Sequence, residues 1–154
     1  MSSKDHEERP TAAAGHRSLV DHAAEKAFLA RSRHGPAMDL AALARLLQDR
    51  EFVRYPTRVE FGNEGLAQGM FAVARQLGAA PADGFAITVH PHFRDRAAAL
   101  PLLIAYHVVA VNYGEVADAT VAERFGATLL GLSVEDYYGQ LCALADELDG
   151  AAGA

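Results

Sequence analysis

Apolar residues recur at helical spacing in the first third of the chain, alternate in the middle, and return to helical spacing in the last third. Val20, Ala24, Ala27, Phe28 and Arg31 fit one helix face, and Gly35-Pro36 stops it. Ser18 with Asp21 three residues on has the pattern of a capping box and predicts the start. A second helix is expected at about 38–49. There Leu40, Leu43, Leu46 and Leu47 oppose Arg45, Gln48 and Asp49.

In the middle, Arg58-Val59-Glu60-Phe61 alternates as a half-buried strand does, and Gly62-Asn63 follows as a turn. Residues 66–77 fit two periods. Leu66, Met70, Val73 and Leu77 would line a helix, but Gly65 and Gly69 would each cost about 1 kcal/mol there, which favours a strand at about 69–75. Phe85 to His90 is the strongest strand, β-branched, alternating and begun by Gly84.

Pro101 suits a first helical turn. The run to Val111 is apolar on nearly every face, which predicts a buried helix ending at Gly114. Val121, Phe125 and Leu129 define a helix at about 117–130, stopped by Gly131. Ser133 with Asp136 begins the last one, whose inner face is Val134, Tyr137 or Tyr138, Leu141, Leu144, Ala145 and Leu148. The fold class is therefore α+β. A small two- or three-stranded sheet at about 57–90 is covered by N-terminal and C-terminal helices. Residues 1–16 combine charge, Pro10, alanines and Gly15, and are expected to be a disordered tail before one domain at 17–150.

At 154 residues and 51% hydrophobic, the chain can bury one core. A net charge of −6 gives no general attraction for nucleic acid or anionic membrane. Thr120 to Gly139 has a faint helix-turn-helix spacing, but its second helix opens with Glu135-Asp136 and lacks Lys and Arg, which argues against DNA. No apolar run spans a bilayer and no secretory pattern is visible at the start. The expectation is a soluble, cytoplasmic, bacterial-type protein. The alanine content and the use of Arg over Lys (only Lys4 and Lys26) fit a high-GC genome. The single Cys142 excludes an intrachain disulfide and a cysteine-rich zinc cage, and its place on the inner stripe predicts a buried, inert thiol.

The candidate chemistry is concentrated between Val89 and Gly114. His90 and His92, two residues apart on a continuing strand, would share a face. With His107 they form a candidate three-nitrogen site for one divalent metal, zinc first, and Glu115 or Asp118 could supply a carboxylate. Without metal, His107 could act as acid or base, with Tyr106, Asn112 and Tyr113 orienting a substrate, and Glu115 is the second candidate catalytic residue, as a general base. Tyr106, Asn112 and Tyr113 are candidate ligand-binding residues, although Asn112-Tyr113-Gly114 also suits a helix end. Arg94 and Arg96 could hold an anion or simply pair with surface acids. Each histidine also has a structural reading, exposed at a strand end or hydrogen-bonded in the core. Three function classes stay open. They are a His-ligated hydrolytic metalloprotein, a non-catalytic interaction or assembly module with a homo-oligomeric or other protein partner, and a metal-free acid–base enzyme using His107.

Overall fold

The computed structural model describes residues 11–153. Five α-helices and a three-stranded sheet form an α+β arrangement, with helices flanking the sheet. In chain order they are α1 (Ala12–His34), α2 (Leu40–Leu47), β1 (Thr57–Phe61), β2 (Ala72–Gln76), β3 (Phe85–Val89), α3 (Leu100–Tyr113), α4 (Ala119–Leu130) and α5 (Val134–Gly153). None of the described helices is long and apolar enough to cross a membrane.

The first helix departs from expectation. It starts at Ala12, where the Thr11 hydroxyl accepts from Ala14 N–H at 3.0 Å, and Ser18 and Asp21 lie inside it. The alanine run that suggested an unpacked tail is a strong helix former. It extends the helix five residues past the expected boundary at 16/17, and His16 reaches Asp118 at 2.9 Å. The rest of the expected tail, residues 1–10, lies outside the described residues. The buried face of α1 is also different. Ala23, Ala24, Ala27 and Ala30 are buried, while Phe28 is 60% exposed. An alanine face lets α1 approach α4 closely, and these two helices touch extensively.

The sheet order is β1-β3-β2, with β3 parallel to β1 and antiparallel to β2. Residues 66–77 resolve as a loop followed by a strand, because Gly65 and Gly69 adopt φ of +79° and +86°, outside any right-handed helix. Ala72, Ile87 and Val89 face the core beneath α3, which packs on β2 and β3. The opposite face carries an ion network. Arg75 donates to Thr88 Oγ1 at 3.1 Å and to Glu60 at 2.8 Å, and Arg58 donates to the other Glu60 oxygen at 2.7 Å. These long side chains help to seal Ala86 and Thr88 from water.

The last two helices pack through one side chain. Tyr137 is fully buried and donates its hydroxyl to Leu102 O at 2.6 Å, tying α5 to the start of α3. Its ring fills the space that a Cβ on Gly126 would need. Gly126 is thus a packing requirement within the segment that has the helix-turn-helix spacing. The open alternative at the start of α5 is settled as well, since Tyr138 is 54% exposed. Cys142 beside it is only partly buried, because it sits at the margin of the Leu141–Leu144–Leu148 stripe.

Candidate functional site

The three candidate metal ligands are not assembled into one site. Among the described residues no group of three or more His, Cys, Asp or Glu side chains is placed to hold a metal ion. The same-face argument fails at Pro91. The strand ends at Val89, and Pro91–Phe93 winds into a single 3₁₀ turn. His90 becomes the cap of that turn, its Nδ1 accepting from His92 N–H at 3.1 Å. His92 swings to α5, where its Nε2 lies 3.2 Å from Glu147 Oε1, and Arg96 donates to the same oxygen. The hydrogen bond from Arg96, and then the one with the His92 ring, hold the Glu147 carboxyl below its usual range. Arg96 is therefore a structural strap. Arg94 lies over the Phe61 ring, 5.5 Å from its centroid, so the two arginines make no common anion clamp.

His107 is held apart, edge-on to Phe71 at 6.2 Å and to Tyr106 at 5.2 Å. Its Nε2 is sealed from solvent and has no hydrogen-bond partner. Burial pushes its pKa down to about 4, so the ring is neutral near pH 7. Glu115 is exposed in the 3₁₀ turn Gly114–Val116 and does not orient this ring, since Nε2 bonds to nothing. Tyr106 is a half-buried packing residue whose hydroxyl is held above its usual pKa, first by burial and then by Glu123.

Asn112 has a different role from the one expected. Its amide donates to Phe52 O at 2.7 Å, and its oxygen accepts from Arg54 N–H at 2.8 Å. With both ends committed to backbone, it acts as a clasp that pins the 52–54 segment to α3. Asn112→Ala should leave a buried carbonyl and N–H unpaired and lower stability by about 2 kcal/mol, read from urea midpoints. A loss no larger than that of a surface alanine variant would mean that the segment does not depend on the clasp.

The clasp shapes the largest open cleft at this end of the molecule, about 750 Å³, with Arg54, Tyr55, Phe85, Tyr113 and Glu115 in its walls. A second cleft of about 570 Å³ lies along α1, lined by His22, Lys26, Arg33 and Phe52 among others. His22, in the wall of the second cleft, stands edge-on to Tyr113 in the wall of the first, ring centroids 5.8 Å apart, so the two clefts adjoin there, and together they are called the furrow. Of the expected ligand-binding residues, Asn112 and Tyr113 lie in the walls of the first cleft, and Glu115 lines it as well. Sequence reasoning missed Lys26, Arg54 and Tyr55. The local signal for Lys26 is its place four residues after His22, on the α1 face away from the alanines. Arg54 and Tyr55 precede β1 and reach the wall of the first cleft only through tertiary folding. Comparison of the chain with family models, with curated proteins and with solved structures gives no match.

Proposed function

We propose that the chain is a non-catalytic binding module whose ligand seats in the furrow between α1, the 52–55 segment and the C-terminal end of α3. The observation that supports this most is the Asn112 clasp. It holds one wall of an open cleft to a buried helix by two hydrogen bonds, so the cleft exists before any ligand arrives. The furrow presents the Tyr55, Phe85 and Tyr113 rings, and His107 stands apart from it, against Phe71 and Tyr106. A screen of small organic molecules, read by melting temperature and backbone amide shifts, tests this. A true ligand should raise the melting temperature, perturb the amides of His22, Arg54, Tyr55 and Tyr113, and be recovered chemically unchanged. Recovery of a product, abolished by His107→Gln, would replace this reading with the acid–base one. Amide shifts confined to another face would overturn the site.

A further inference from the structure

β1 and β2 are the edge strands of the sheet, and β1 bonds to β3 through alternate residues. Phe85 N–H donates to Pro56 O at 2.8 Å and Gly62 N–H to Val89 O at 3.1 Å, so Arg58 and Glu60 supply the bonds between. The N–H and C=O groups of Thr57, Val59 and Phe61 point the other way, along the free edge. Among the described residues none of these backbone groups has a hydrogen-bond partner. The side chains of the same three residues share the core face with Ile87 and Val89. There they line an open groove of about 300 Å³ with Leu40 and Leu43 of α2 and Ile104 of α3. Leu40 is 39% exposed. An apolar groove that runs beside unpaired strand backbone has the form that accepts one more strand.

The charges on β1 select which strand. A two-fold axis sets two copies of one edge strand antiparallel. Outward-facing residues must then meet outward-facing residues, so the possible registers differ in steps. Centred on Val59, the pairing sets Thr57 opposite Phe61, and Arg58 opposite Glu60 on both sides of the axis. Centred on Arg58 or on Glu60, it sets like charge against like charge. Opposite charges across a strand pair stabilise it, and like charges destabilise it. The favoured register is also the one that uses all three unpaired residues, in about six backbone hydrogen bonds. The other edge has no such complement, since self-pairing of β2 about Ala74 would set Val73 opposite Arg75.

We propose that the free edge of β1, with its groove, is the docking surface for a second copy of this chain, joined antiparallel about a two-fold axis at Val59 so that one sheet runs through both copies. The groove shares no lining residue with the furrow, so this surface stands independently of the binding-module reading. The backbone bonds and the apolar cover that Val59 and Phe61 of each copy give the groove supply the affinity. The charges set the register. Glu60 already holds Arg58 of its own strand at 2.7 Å, and exchanging it for Arg58 of the second copy changes the energy little, whereas a like-charge register is rejected.

The test is sedimentation of the full chain from micromolar to millimolar concentration, with amide hydrogen exchange over the same range. The chain should pass from monomer to dimer, and the amides of Thr57, Val59 and Phe61 should gain protection as it does. Arg58→Glu and Glu60→Arg each set like charges opposite one another and should each weaken self-association by about tenfold or more. An equimolar mixture of the two variants should associate as the parent does, because every cross-strand pair is again one of opposite charges. A chain carrying both changes should do the same. Val59→Pro removes an N–H that the monomer leaves unpaired, and it should also weaken association about tenfold or more. Melting curves establish that each variant keeps the fold, and the chain carrying both charge changes keeps the parent's net charge. A chain that stays monomeric over the whole range would overturn the proposal. A dimer unaffected by these changes, or protected at other amides, forms through another face and overturns it equally. So does a mixture that fails to restore association.

Discussion

Phe125→Ala should remove about 3–5 kcal/mol of stability, the usual cost of truncating a buried phenylalanine. Phe125 is fully buried on α4, the helix that touches α1, α3 and α5 at once. The cavity would therefore open where three helix contacts meet, and little of it can close. The Tyr137 ring packed on Gly126 holds α5 in place there, and the alanines of α1 have no reach to fill a gap. Set against a typical total of about 5–15 kcal/mol, such a loss leaves the variant marginal at growth temperature. Equilibrium unfolding in urea measures it. A loss under about 1 kcal/mol would place Phe125 outside the core.

The second large effect depends on pH. Stability should fall as pH drops from 6.5 to about 4, the unfolded and folded pKa values of His107, and this source should contribute no further loss below that. The sign follows from proton uptake. In that window the unfolded chain binds a proton at His107 that the folded chain refuses, so acid favours unfolding. At about 1.4 kcal/mol per pH unit the whole window corresponds to about 3 kcal/mol. Carboxylates held low by their partners, Asp49, Glu60 and Glu147, act elsewhere. Their ordinary values are 3.8 to 4.5, so the stability they contribute is lost mainly below the histidine window. His107→Leu should flatten the curve between 6.5 and 4 and leave the steeper acid limb in place. It should also be at least as stable as the parent at pH 7, because it removes a buried nitrogen with no partner. Denaturation midpoints at half-unit pH steps decide this, and parallel curves for parent and variant would show that His107 is accessible to water.

The sequence carries the element pattern well and the site poorly, and the reasons are specific. Strand period, glycine brakes and serine or aspartate caps are local. They locate β1, β3 and the four later helices to within a few residues. The misplaced start of α1 comes from reading Ala12 to Ala14 as inert filler, when small residues are what a close helix pair requires. Phe28 was assigned to the core by its spacing, yet the face that packs is the alanine stripe beside it. For the histidines the error is one of parity. A two-residue spacing predicts a shared face only while the chain stays extended, and Pro91 turns it. The furrow could not be read locally at all. Asn112 reaches back across the sequence to Phe52 and Arg54, and such a long-range pairing leaves no spacing signature. Of the candidate ligand residues, Tyr113 was named for its type and its neighbours, and its ring stands at the junction of the two clefts.

The strand order bears on how the protein is made. β1 has its hydrogen-bonding partner not in the next strand but in the one after it, and β2 depends on that same strand. A nascent chain that has emerged only through β2 therefore holds two strands with nothing to pair to. Their unpaired backbone must wait, hydrated, until β3 leaves the ribosome and enters between them. The exposed edges that invite misassociation are open during that interval, and β1 and β2 both bring charge to it, through Arg58, Glu60 and Arg75. The ion network that later covers one face of the finished sheet is thus drawn from charges that the two strands already carry while they are unpaired.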